Sequence, residues 1–103
     1  MRVVRLDAGA WRTELEFIAA LKHALNAPHW CGDSPAAIDE LMVWGLGPQV
    51  LQPPYEVEIS GLEQAPKEVR EYVALIVECV SAARQECKAR DGKDIDVGFK
   101  IVG

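Results

Sequence analysis

Pro28-His29-Trp30-Cys31-Gly32-Asp33-Ser34-Pro35-Ala36-Ala37-Ile38-Asp39-Glu40-Leu41 divides into a loop and the start of a helix. Ser34 is a good N-cap, and Pro35 fits the first helical position, where a missing N–H costs nothing. Ile38, Leu41, Met42 and Val43 form the apolar side of the predicted helix, so Asp39 and Glu40 cannot both point inward with them. Gly45 stops the helix, and 47–54, with three prolines, reads as a loop.

Working outward, Arg2 to Leu6 is short and rich in Val and Leu, which predicts a strand. Thr13-Glu14-Leu15-Glu16 is a capping box, in which hydroxyl and carboxylate satisfy free amides at a helix start. Phe17, Ile18, Leu21 and Leu25 follow at helical spacing, and Asn26 and Pro28 end that helix. Tyr55 to Ile59 alternates apolar and acidic residues, which predicts a strand with one wet face, placed here at a sheet edge. Pro66 opens a long helix to about Arg90, with Val69, Val73, Ile76, Val80 and Ala83 as its core stripe. Asp91-Gly92 breaks it, and Ile95, Val97, Phe99 and Ile101 alternate as a last strand. Helices between strands favour parallel pairing through right-handed crossovers. The expected fold is therefore α/β, one domain over 1–103, with a three-stranded parallel sheet packed against three to four helices.

Charge is unevenly spread. Residues 23–66 hold no Lys or Arg but six acids, Asp33, Asp39, Glu40, Glu56, Glu58 and Glu63, so this window carries −6 of a net −5. An acidic surface attracts a basic partner and speeds its association. It argues against direct nucleic-acid binding, which needs clustered Lys and Arg. Glu56 and Glu58 read as the wet face of their strand.

The longest apolar region, Leu41 to Leu51, is broken by Gly45, Gly47 and Pro48, short of a membrane span. No apolar signal core follows Met1, and three cysteines lack a disulfide-like spacing. Cys79 and Cys87, about 12 Å apart along one helix, are too distant to bridge. Reduced thiols predict a cytoplasmic location. His29 and Cys31 have no second ligand pair, so no metal is expected. Gly45-Leu46-Gly47 lacks the context of a dinucleotide loop, and Ser34 lies in no nucleophile elbow, so neither a cofactor nor catalysis is indicated.

The 28–41 run resembles the barstar family, small bacterial intracellular inhibitors of secreted ribonucleases. The resemblance extends to length, element order and the ending Gly92-Lys93-Asp94-Ile95. It implies a loop carrying Trp30 at the family's first aromatic, with Cys31 replacing the second. Asp33 keeps an acid and Ser34 replaces an Asn cap. The first inhibitory Asp becomes Ala36, the helix aromatic becomes Asp39, and the second inhibitory Asp becomes Glu40. The family's later acid on the last helix falls at Cys87, and Trp44-Gly45 reverses a Gly-Trp pair.

The resemblance thus implies an immunity protein that neutralises a basic ribonuclease or toxin through an acidic loop and helix. Trp30, Asp33, Asp39, Glu40 and Trp44 are its expected contacts. The alternative is a barstar-fold interaction or subunit module without ribonuclease inhibition, self-associating through the 28–44 surface. The loss of the Asp at Ala36, and Leu46, Val50 and Leu51, expected to be exposed, motivate that alternative.

Overall fold

A computed structural model describes residues 2–102. Strand β1 (Arg2–Asp7) is followed by a 3-10 turn at Ala8–Ala10 and helix α1 (Glu14–Ala24). Helix α2 (Pro35–Asp39) runs into a π-helical turn, Glu40–Trp44. Strand β2 (Tyr55–Ser60), a 3-10 turn at Leu62–Gln64, helix α3 (Lys67–Asp91) and strand β3 (Val97–Ile101) complete the chain. The architecture is α/β, a three-stranded parallel sheet with three α-helices, as the sequence predicts.

The helix starts follow local chemistry. Thr13 Oγ1 accepts from the Glu16 amide at 3.3 Å, while Glu16 Oε1 accepts from the Thr13 amide at 3.1 Å. Ser34 Oγ accepts from the Ala37 amide at 3.1 Å, with Pro35 in the first turn.

The strand order β1-β2-β3 corrects one expectation: β2 is the central strand, not an edge. Alternation survives in the centre because the two crossovers, both stepping in the same direction across a parallel sheet, put the helices on one face when both take the usual right hand. Tyr55, Val57 and Ile59 face that layer and are buried, while Glu56 and Glu58 lie on the other side, half-buried between neighbouring strands. The register aligns Arg5, Glu58 and Lys100 across the open face. Glu58 thereby gains a cation on each side, with Arg5 Nε 3.6 Å from its carboxylate. Part of the acidic window is thus balanced locally, as cross-strand pairing of opposite charges favours.

The core joins Phe17, Ile18 and Leu21 of α1, Ile38 and Leu41 to Val43, the inner face of β2, and the α3 stripe extended by Cys87. Ile95 lies before β3 rather than in it, and burial fades along that edge strand from Val97 to Ile101. Val50 is also buried, and Leu46 and Leu51 are half-buried against the core, so these three are not an exposed patch. Leu51 is held there because its amide donates to Leu25 O at 2.9 Å, tying this loop to the end of α1.

At the far end of α3, Arg84 clamps the approach to β3. Its Nε and Nη2 both donate at 2.6 Å to the two oxygens of Asp94, Nη2 reaches Asp96 at 3.3 Å, and Nη1 donates to Val97 O at 3.0 Å. The fork holds the Asp94 carboxyl well below its usual range, helped by a hydrogen bond from the Asp96 amide.

Candidate functional site

The loop between α1 and α2 is fastened from several sides. Asn26, in the left-handed region at φ 57°, ends α1 and donates from its side chain to Gln49 O at 2.8 Å. The Cys31 amide closes a turn on Pro28 O at 3.0 Å, and the Cys31 side chain is buried. With Cys31 anchored inward, its neighbour Trp30 projects outward and is 61% exposed. An indole left in water on a fastened loop is apolar area that the fold does not use.

Lys22, near the end of α1, makes the main tie. Its ammonium donates to Cys31 O at 2.7 Å and to Asp33 Oδ1 at 2.8 Å. Tyr72 of α3 donates its hydroxyl to Asp33 O at 3.3 Å, while its ring meets Phe17 edge-on. Asp33 thus serves the loop as well as the surface, and its charge is matched by a cation from outside the basic-free window.

The two acids of the helix differ. Glu40 is exposed, with no ion pair within 4.0 Å among the described residues. Asp39 is half-buried, and its Oδ1 is enclosed without a hydrogen-bond partner among the described residues. Burial raises its carboxyl above the ordinary value. The Cys31 thiol is also raised, chiefly by burial; Lys22 opposes the shift, and Asp33 and Glu40 add to it. Asp33 and Glu40 therefore act on the same neighbourhood, and burial favours the thiol form of Cys31.

A π-turn replaces the last part of the expected α-helix. The Gly45 amide donates to Glu40 O at 2.7 Å, five residues back, and Gly45 takes φ 86°, which a side chain rarely adopts. The wider turn keeps Leu41, Met42 and Val43 all buried and leaves Trp44 39% exposed. Arg90, in the last turn of α3, lies 5.4 Å from the Trp44 ring centre, a cation–π contact.

The fold brings Trp30, Asp33 and Glu40 to one loop-and-helix edge, and Trp44 follows at the end of the same helical segment. Asp39 is placed partly beneath the surface rather than on it. Lys22, Tyr72 and Arg90 were missed by sequence reasoning. They lie 11, 39 and 46 positions from the residues they touch, so no periodicity reports them. Surface cavities lie along α3, β3 and the loop under Trp44, lined by other residues than His29, Cys31 and Glu40.

A family model described as Barstar (barnase inhibitor) matches residues 1–100. The chain belongs to the barstar family. That match and the α/β architecture agree with the resemblance carried by the 28–41 run. Barstar proteins form an inhibitor family whose partners are ribonucleases, and this chain has the barnase-inhibitor-like fold. No curated protein matches the sequence. No helix among the described residues is long and apolar enough to cross a membrane.

Proposed function

We propose that this barstar-family protein is a bacterial, cytoplasmic immunity protein that binds and neutralises a basic ribonuclease or toxin with the edge formed by Trp30, Asp33 and Glu40. The observation that carries this reading is Trp30: a largely exposed indole on a loop fixed by Lys22, Tyr72 and a buried Cys31. Holding the loop before binding lowers the entropy cost of association, and an aromatic anchor supplies much of an interface's energy. Glu40, exposed and with no ion pair within 4.0 Å among the described residues, supplies charge suited to the cationic groups that a nuclease uses to hold RNA phosphates.

Ala36, Lys22 and Arg90 define how the edge differs from a uniformly acidic plug. Ala36 brings no charge where the family resemblance places an inhibitory Asp. Lys22 and Arg90 bring cations against Asp33 and Trp44. These favour a partner whose basic patch is smaller, or carries an acid opposite Arg90. They also favour the second reading, a barstar-fold module whose partner is not a nuclease.

Titration calorimetry separates the two. Barnase, and any basic nuclease or toxin found encoded beside this gene, are titrated at low and high salt. A saturable, salt-sensitive one-to-one complex supports inhibition by this edge. Absence of binding to both at low salt favours the module.

A further inference from the structure

Helix α3 has a second flank, resting on the core at Val73, Leu62 and Val77, that the proposed contact edge does not use. Tyr72 faces the Asp33 loop from one side of the helix. On the other side α3 borders the end of β3, where an apolar groove of about 300 Å³ opens to solvent. Leu62, Val77 and Ile101 supply its apolar lining, with Ile101 48% exposed although it ends a strand. Ala74 is exposed on the helix beside it. The groove is small, so its apolar lining alone does not call for a partner; the charges that flank it are the informative part.

The charges around the groove specify what covers it. Arg70 and Glu78 flank it, and neither has an ion pair within 4.0 Å among the described residues. They stand four residues either side of Ala74, about 6 Å each way along the axis, on one i±4 ridge. A two-fold axis through Ala74 lays a second α3 across the first in antiparallel sense. Each Arg70 then meets the partner's Glu78, and the small Ala74 side chains let the axes approach closely. Parallel stacking would instead oppose Arg70 to Arg70. A patch that is its own electrostatic complement under two-fold rotation is the signature of an isologous contact.

We propose that the protein self-associates through this α3–β3 flank as a symmetric dimer centred on Ala74, with reciprocal Arg70–Glu78 pairs. The flank lies opposite Tyr72 on the helix, so the dimer leaves the Trp30 edge free. The inference does not rest on the ribonuclease reading.

Sedimentation velocity on the full chain, up to about 0.1 mM at low salt, tests it, since weak symmetric contacts show at such concentrations. The expected result is a dimer that Arg70→Glu and Glu78→Arg each weaken at least about tenfold, as like charges replace opposite ones. The combined R70E/E78R protein should recover the wild-type association within about threefold, because the pairs re-form with reversed sign. Ala74→Trp, which blocks close approach at an exposed position, should give a monomer with unchanged circular dichroism. A monomer throughout the concentration range would overturn the proposal. So would a dimer indifferent to these substitutions, or a double variant no better than the single ones.

Discussion

The two acidic clusters joined by α3 have opposite fates. At one end, Asp94 receives two donors from Arg84 and one from the Asp96 backbone, so its charged form is favoured. On α2 and the turn that follows it, Glu40 has no ion pair within 4.0 Å and Asp39 has an enclosed oxygen without a donor among the described residues, so Asp39 resists ionisation. Similar residue types thus do different work. Of the carboxylates that fasten β3, Asp94 accepts three hydrogen bonds from within the chain and Asp96 one. Exposed Glu40 keeps its capacity available to another molecule, whereas the enclosed Asp39 oxygen is a cost to the fold.

The sharpest way to break this contrast is to separate binding from stability. Trp30→Ala should lower affinity for the cognate nuclease by at least about 2 kcal/mol, roughly thirtyfold, as a truncated aromatic anchor does. It should barely move the melting temperature, because the ring is mostly exposed. Arg84→Ala should do the converse, lowering stability by about 1–2 kcal/mol after discounting for a partly exposed ion pair. Affinity should be unchanged, and Arg84→Lys should restore little, since an ammonium cannot reproduce the fork. Urea melts paired with titration calorimetry read both effects.

Acid titration sharpens the comparison further. The Asp94 carboxyl is lowered from 3.8, so its contribution is fully present above that value and is lost as pH falls toward the folded pKa. Asp39 is raised from 3.8, so its ionisation begins to cost stability as pH rises above that value, and the full cost stands above the folded pKa. Asp94→Asn should therefore flatten the loss of stability in acid. Asp39→Asn should stabilise at pH 7 by up to about 1 kcal/mol, an advantage that fades below about pH 4. Denaturant midpoints measured from pH 2.5 to 7 distinguish them.

The smallest expected effect lies in the core. The Tyr55 hydroxyl is buried without a hydrogen-bond partner among the described residues, and burial raises its pKa. Tyr55→Phe should leave stability unchanged or raise it by about 1 kcal/mol, because a desolvated hydroxyl is removed with no partner to strand. A clear loss in a thermal melt would mean that Tyr55 finds a donor or acceptor in solution.

Most of the fold was legible because its signals are local. The Thr13–Glu16 box, Ser34–Pro35, the α3 stripe and the alternation in β2 each report their own element. The central position of β2 was not legible, since Glu56 and Glu58 read the same whether their face is an edge or the open side of a one-layered sheet. The exposure assigned to Val50 failed because the Leu25–Leu51 hydrogen bond folds that loop onto the core. Within the site, Trp30 and Glu40 were visible in sequence. The pairing of Asp33 with Lys22, the cover of Arg90 on Trp44 and the half-burial of Asp39 depend on contacts between elements, which a linear pattern does not carry.

The most direct measurement is RNA hydrolysis by barnase, and by any basic nuclease or toxin found encoded beside this gene, titrated with the wild-type protein and with Trp30→Ala at low and high salt. The account predicts near-stoichiometric inhibition of at least one enzyme by the wild type, weakened by salt and largely lost with Trp30→Ala. Full activity of every enzyme at an excess of wild-type protein in low salt would contradict it, as would inhibition that Trp30→Ala leaves intact.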